Sequence, residues 1–451
     1  MQKKLIKIAA IIGGVILLWL LAFWIFGSNN NTPKTTLEFW NVFDTSDQMQ
    51  PLLDDFTAQT DIRVNYRSFA DLAEYRDALL IELASGEGPD VVAIRGTWFP
   101  KYKKFLQPLP ETLGYTPESV RKDFVDAVGE ATIFENSASK TATTEQVFGL
   151  PMYVDSLALF YNKTYFRSVL SKPYPAPETT WDGVRDDAMR LTKKDYTDPS
   201  GFRLVGIALG RADNVSRGVE TFYNFYHQFG GENLLAGEGG FYKPALDALD
   251  FMTAFSRNPL NQEYCWNQKI TAGAPEKELA TFVEGKVAMI AGYSYYYDSI
   301  RNAIKQISSP ISLDEVGIAP WPQIQDPQVG NPKVALADFF ALAVAKSSKY
   351  PNEAWRLILD LTSNASESKY LEATKKPASR RDLLINQKGD PVLGVFADQA
   401  VYADSLILAD DQIFDPKIAE VLDRIGDGEL QTADGARELD ATFRSVTDKK
   451  E

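Results

Sequence analysis

Four tyrosines stand within five positions, Tyr293, Tyr295, Tyr296 and Tyr297, directly after Gly292 and the apolar run 287–291. A phenol ring offers a face that stacks on apolar ligand surface and a hydroxyl that exchanges hydrogen bonds. That is chemistry for holding a ligand rather than for breaking one. Two carboxylates stand inside apolar segments, Asp155 within 148–163 and Asp338 within 335–345. A carboxylate taken out of water needs a partner or a ligand. Trp321, between Pro320 and Pro322, sits in a stiff loop able to hold an aromatic plate. The groups that most nucleophilic and metal chemistry requires are nearly missing. His227 is the one histidine and Cys265 the one cysteine. This removes histidine-based triads, three-histidine zinc sites and any disulfide within the chain. A formal net charge of −14, with no long basic stripe, argues against nucleic acid. A binding function without metal or cofactor is expected, with carboxylate chemistry as the alternative.

The tyrosines depend on the elements around them. Residues 287–291 form a continuous apolar run, as in a strand covered on both faces. Gly292 then permits a sharp turn or a close approach to a ligand. Helical spacing of Tyr297, Ile300 and Ile304 puts Tyr297 on a core face. Tyr293, Tyr295 and Tyr296 are left nearer the mouth of a site.

The N-terminal half supplies a second set of candidates. Residues 37–43 read as a strand. A helix capped by Ser46 follows, with Met49, Leu52, Leu53 and Phe56 on one face. Residues 62–69 alternate as a strand. Another amphipathic helix ends at Gly86, and 90–94 is a third strand. This β-α-β-α-β order predicts a parallel sheet. Ligands of such sheets sit beyond the carboxyl ends of the strands. Trp40 and Asp44 follow the first strand, and Arg95 and Trp98 follow the third.

Lys3, Lys4 and Lys7 precede or enter the uncharged run 8–26, which is long enough to span a bilayer as a helix. The basic flank predicts a cytoplasmic N-terminus. The run lacks the small-residue pattern of a cleavage site, which favours an uncleaved signal anchor. Residues 1–27 are thus read as the anchor and 28–36 as a polar tether. The remaining chain is placed at the extracytoplasmic face of the cell membrane.

An ordered series of short segments carries a family resemblance over about residues 37–385. It comprises LEFWNVFD (37–44), GEGPDVV (86–92) with Trp98 beyond it, and Gly149-Leu150-Pro151 before ALFYNK (158–163). It continues with TTWDG (179–183), FVEGKVAM (282–289) with Gly292 beyond it, ALAVAKSSKYPNEAW (341–355) and PASRRDL (377–383). The series resembles the extracellular solute-binding proteins of ABC transporters, in particular the sugar-binding group related to maltodextrin-binding proteins. The resemblance implies a periplasmic-binding-protein-like α/β fold, with two lobes joined by hinge crossings and a ligand cleft between them. It places 37–150 with 288–336 in lobe one and 155–284 with 341–451 in lobe two. Crossings are implied near 152–156, 284–287 and 337–341. Many members carry glycines where this chain has Ala337-Asp338-Phe339-Phe340, and here the anchor helix replaces a lipid-modified cysteine or a cleaved signal.

The implied function is capture of a small polar solute, a sugar or oligosaccharide, and delivery to an ABC permease. Under that reading Trp40, Trp98, Tyr153, Tyr293, Tyr295 and Trp321 supply aromatic plates, and Gly292 and Tyr296 face the cleft with Tyr293 and Tyr295. Asp44, Arg95, Asp155, Asp338 and Arg380 supply polar contacts. The alternatives are a carbohydrate hydrolase using Asp155 and Asp338, or a surface solute sensor that has lost transport.

Overall fold

The computed structural model describes residues 35–136, 144–231, 240–271, 277–406, 408 and 410–447. The anchor and nearly all of the tether lie outside the described residues. Thr35 and Thr36, read as tether, already belong to the first strand. No helix among the described residues is long and apolar enough to cross a membrane.

The strand β1 (Thr35–Val42) buries Leu37, Phe39, Asn41 and Val42. Helix α1 (Ser46–Thr60) follows, and its buried face is Met49, Leu52, Leu53 and Phe56. Its cap is Thr45 rather than Ser46: the Thr45 backbone N–H donates to Gln48 Oε1 at 2.8 Å. Strand β2 (Ile62–Phe69) runs parallel to β1 in unbroken register, from Thr35 opposite Ile62 to Val42 opposite Phe69. Helix α2 (Leu72–Ser85) begins at Asp71, whose carboxylate accepts the Glu74 N–H at 2.8 Å. It ends at Gly86, where φ is 76°. Strand β3 (Val91–Arg95) then pairs parallel to β1. Val91, Val92 and Ile94 are fully buried, each contributing about 1.5–3 kcal/mol on removal from water.

Short strands β4 (Leu106–Gln107) and β5 (Leu150–Pro151) follow. The chain then passes through β6 (Asp155–Ser156) into β7 (Ala158–Asn162). Further on come α3 (Gly218–Gln228), β8 (Met289–Gly292), α4 (Tyr296–Gln306) and β9 (Val316–Pro320). The last elements that matter here are β10 (Ala335–Asp338), β11 (Phe340–Ala345), β12 (Ala403–Asp404), α5 (Asp411–Gly426) and α6 (Thr432–Thr447).

Two separate apolar cores define two lobes. The first joins residues 37–154 to 339–384. Its sheet runs β2-β1-β3-β11-β4, with β5 also on β11. The second core joins 157–336 to 406–443, and its sheet runs β8-β7-β9. Helix Leu393–Ala400 touches both cores, Phe396 the second and Ala397 and Ala400 the first.

This division corrects the expected one. Residues 288–336 belong to lobe two, because β8 and β9 flank β7 as antiparallel partners. Residues 341–345 belong to lobe one, because β11 pairs with β3. Residues 284–287 are therefore no crossing: Val287 bridges Val205, and Val283 and Val287 lie in one core. The three crossings are β6, β10 and β12, and they form one small sheet with β10 at its centre. In that sheet Asp338 stands opposite Asp155, and Leu336 opposite Asp404.

Around β12 the hinge is tied down on both sides. His227 Nε2 lies 2.9 Å from Asp404 Oδ2, and the Ser405 N–H donates to Glu130 Oε2 at 2.8 Å. The single histidine thus braces a crossing strand from lobe two.

Candidate functional site

The carboxyl ends of β1 and β3 point at the hinge, and the candidate site is built there. Arg95, the last residue of β3, lies opposite Phe340, the first residue of β11. Its Nε donates to Asp338 Oδ1 at 2.6 Å, with both side chains mostly buried. Burial alone would lower the Arg95 pKa, but Asp338 outweighs it and holds the guanidinium firmly charged.

Asp155 uses its hinge position differently. Its Oδ2 accepts the Ser294 N–H at 3.0 Å and the Ser294 hydroxyl at 2.6 Å, and its Oδ1 accepts the Ser156 N–H at 2.8 Å. Burial raises its pKa to about 7, against the lowering effect of those bonds. Ser294 lies between Tyr293 and Tyr295, so Asp155 fixes the tyrosine turn to the hinge.

On lobe two, Tyr293 and Tyr295 stack with ring centroids 6.4 Å apart and planes at 23°. Tyr293 is buried, while Tyr295 is 49% exposed and leaves a usable aromatic face. The Arg217 guanidinium lies 5.9 Å from the Tyr293 centroid and donates to Glu220 at 2.7 Å. The Tyr223 hydroxyl donates to Asp415 at 2.7 Å. Burial pushes Asp415 up to about 7, and the charge of Arg95 from the other lobe pulls it back in part. Arg95 and Glu220 both act on Tyr293 as well, so groups of both lobes share one electrostatic neighbourhood.

The lobes also meet directly. Trp98 Nε1 donates to Asp411 at the start of α5. Lys101 Nζ donates to Asp410 Oδ2 at 2.8 Å and to Gln412 Oε1 at 2.6 Å. Trp98 stacks on Tyr102 at 5.7 Å and meets Phe340 edge-on at 5.8 Å, so it is a buried contact between the lobes rather than an open plate.

A third group lines lobe one beside the hinge. Asp44 accepts from Lys376 at 2.6 Å and from the Tyr370 hydroxyl at 2.8 Å. The Lys376 ammonium lies 4.1 Å from the Tyr153 centroid, a cation–π contact. Asp44 is thereby occupied as the partner of a half-buried cation.

The remaining candidates fall elsewhere. Trp40 packs on the lobe-one sheet under Arg67, 4.7 Å from its guanidinium, and 5.3 Å from Phe69. Trp321 is buried in the second core, 5.0 Å from Trp181; the apolar surroundings claimed the ring that the flanking prolines present. Arg380 pairs with Asp382 at 3.1 Å and Asp123 at 3.6 Å and lies over Phe124, within lobe one.

Two readings of the tyrosine segment are corrected. Tyr297 packs half-buried against the second core, as its helical spacing predicts, but Tyr296 is a core residue too: it is buried against Phe160, and its hydroxyl donates to Glu278 at 3.2 Å. Gly292 serves that packing, since a Cβ there would stand 2.3 Å from the Tyr296 ring. Sequence reasoning missed Arg217, Glu220, Tyr223, Asp411 and Asp415. Arg217 precedes α3 and the others lie on α3 and α5, where polar residues carry no periodic mark of their role. Among the described residues no cluster of three or more His, Cys, Asp or Glu side chains could hold a metal ion.

The profile of the family described as bacterial extracellular solute-binding protein matches residues 44–367. No curated protein matches the sequence. Among solved structures, the sugar-binding protein MalE from Xanthomonas citri is similar at 20% identity and a TM-score of 0.72, over 92% of this chain and 98% of that one. A cyclo/maltodextrin-binding protein complexed with maltotetraose is similar at 19% identity and 0.70, over 92% and 98%. An ABC transporter solute-binding protein from Thermotoga lettingae, bound with alpha-D-tagatose, is similar at 21% identity and 0.67, over 92% and 100%. At such identities the likeness speaks to the fold.

Proposed function

The chain belongs to the bacterial extracellular solute-binding proteins, and from that premise we propose that it captures a sugar or short oligosaccharide in the cleft between its lobes. Members of this family bind a solute and are not enzymes. The observation that carries the sugar reading is the half-exposed Tyr295, stacked on buried Tyr293, beside hydrogen-bonding groups drawn from both lobes and the hinge. A pyranose presents C–H faces to rings and hydroxyls to carboxylates and guanidinium groups, so one ligand satisfies both kinds of surface. Similar folds solved with maltotetraose and alpha-D-tagatose support the choice of ligand class.

Contacts supplied by two lobes favour the state in which the lobes are together, because only that state completes them. Arg95 comes from lobe one, Arg217 and Tyr295 from lobe two, and Asp338 from the crossing between them. A thermal-shift screen of the purified chain against maltotriose, mannotriose and tagatose tests this. A true ligand at about 100 times its dissociation constant adds about 2.7 kcal/mol of stability, a clear rise in melting temperature. Absence of a rise with every saccharide, alongside a rise with a peptide or a polyamine, would overturn the sugar reading.

The same reading has segment 8–26 holding the chain at the extracytoplasmic membrane face and an ABC permease receiving the solute. Its apolar length and basic flank support this. In fractionated cells the chain should sediment with membranes and be released by deletion of residues 1–27. Recovery of the intact chain in the soluble fraction would refute the anchor.

A further inference from the structure

We propose that Phe43 is a sugar-stacking plate of lobe one, held ready in a backbone conformation that its residue type disfavours. The inference rests on the sugar reading and assigns that site a residue. Phe43 has φ of 69°, in the left-handed region. For a residue with a bulky Cβ substituent this is a true outlier, since the Cβ crowds the adjacent carbonyl. Glycine or asparagine is the ordinary choice there.

Such a conformation persists only where the surroundings impose it. Two bonds do so here: the Phe43 N–H donates to the Phe69 carbonyl at 2.8 Å, and the Asp44 N–H donates to the Val42 carbonyl at 2.9 Å. The turn at the end of β1 is thus clamped to the end of β2, and Asp44 beyond it is locked by Lys376 and Tyr370.

The ring that this clamp presents is not part of the core. Phe43 is 49% exposed, although a phenyl ring gains most by burial. Among the described residues its ring contact is edge-on to Phe340, at 6.0 Å and 79°. A T-shaped contact of that kind leaves a ring face open to a third partner. A residue chosen only to make the turn would be glycine; a residue chosen only to pack would be buried. An aromatic ring that is strained and exposed together fits neither purpose.

Position supplies the rest. Phe43 lies at the carboxyl edge of the lobe-one sheet, where ligands of such sheets bind. Phe340 opens β11 immediately after the hinge crossing β10, and it pairs in register with Arg95. Arg95 in turn bonds Asp338 and acts electrostatically on Tyr293 of lobe two. One continuous edge therefore runs from Phe43 through Phe340 and Arg95 to the tyrosine stack. Phe43 supplies an open aromatic face on lobe one, and Tyr295 supplies one on lobe two. A saccharide held between them meets rings from both sides of the hinge.

The variant Phe43→Gly separates the possibilities, because glycine relieves the left-handed strain while removing the ring. Binding of maltotriose, mannotriose and tagatose is measured by titration calorimetry, and the melting temperature without sugar is read in parallel. The expected result is a loss of affinity of about tenfold or more for the saccharide bound by the parent chain, with a melting temperature unchanged or higher. Phe43→Tyr, which keeps the face, should retain parental affinity. Equal affinity of Phe43→Gly and the parent would overturn the assignment while leaving the sugar reading intact. A fall of several degrees in melting temperature with unchanged affinity would show that the ring is packing. Failure of the parent chain to bind any of the three would count against the sugar reading itself, and the assignment would fall with it.

Discussion

Replacing Arg95 by alanine should weaken saccharide binding about a hundredfold while both cores stay folded. Arg95 is the cation at the meeting point of the lobes. It bonds Asp338 on the crossing β10, and its charge acts on Tyr293 and Asp415 of lobe two. Without it, Asp338, which stands opposite Asp155 in the small hinge sheet, loses this ion pair. Truncating one member of a buried, hydrogen-bonded charge pair costs about 2–5 kcal/mol, much of it from the charge left behind. That cost falls on the state with the lobes together, because there Asp338 is least hydrated. The apolar residues of both cores keep their contacts, so near-native circular dichroism and a cooperative melt are expected. Arg95→Lys keeps the charge but loses the planar fork, and intermediate affinity is expected. Calorimetric titration of the three chains checks this, and an alanine variant within twofold of the parent would contradict it.

The second large effect is on pH. Melting temperature should fall steadily as pH rises from about 5 to about 8.5. Burial raises Asp155 and Asp415 to about 7 and Glu367 to about 8. Each of these acids holds a proton in the fold at a pH where the unfolded chain has released it. The folded state therefore binds more protons, and stability drops with rising pH between the unfolded value near 4 and the folded value. His227 acts in the same direction. Burial lowers its pKa, but Asp404 and the Gly231 carbonyl outweigh burial and raise it, so its contribution is present below the unfolded value and lost as pH passes the folded one. Carboxylates held below their ordinary value, such as Asp213, where burial is outweighed by Arg211, oppose this only below the ordinary carboxylate range. A tenfold change in an acid's proton affinity on folding corresponds to about 1.4 kcal/mol, and the contributions of these groups add in the same sense. Asp155→Asn, neutral throughout, should flatten the slope. A melting temperature that is level or rising across this interval would contradict the assignment of buried, protonated acids.

Arg95, Asp338 and Asp155 meet at the hinge, where the sequence is least readable. The β-α-β-α-β opening was legible because its signals are local: alternation in β1 and β2, the faces of α1 and α2, and Gly86 as a left-handed stop. The Arg95 and Trp98 positions followed from that order. Which lobe each later strand joins was not legible, since strand partners are chosen by contacts more than a hundred residues away. Residues 335–345 read as one apolar run, yet β10 belongs to the hinge and β11 to lobe one. Asp338 is the one interruption of that run, and the change of partner comes directly after it, at Phe339. Crossings β6 and β10 fell where the resemblance implied them. The third, β12, was missed because its two residues lie in a helical, acidic stretch.

Among aromatic candidates, composition could not tell a plate from a core ring. Trp321 and Tyr296 were taken into the second core by their neighbours, whereas Tyr295 stayed half exposed. Phe43 carried no sequence mark, because the usual sign of a left-handed turn is the glycine it replaces.

The central claim is that the two lobes close a saccharide between them, and one measurement meets it most directly. Distance between fluorophores placed on the outer faces of the lobes, followed during titration with maltotriose, mannotriose or tagatose, reports binding and lobe movement together. The expected result is a saturable change in distance with one of these sugars, its midpoint moved about a hundredfold higher in the Arg95→Ala chain. A distance that stays constant at saturating concentrations of every sugar, or a midpoint in the Arg95→Ala chain within twofold of the parent, would contradict it.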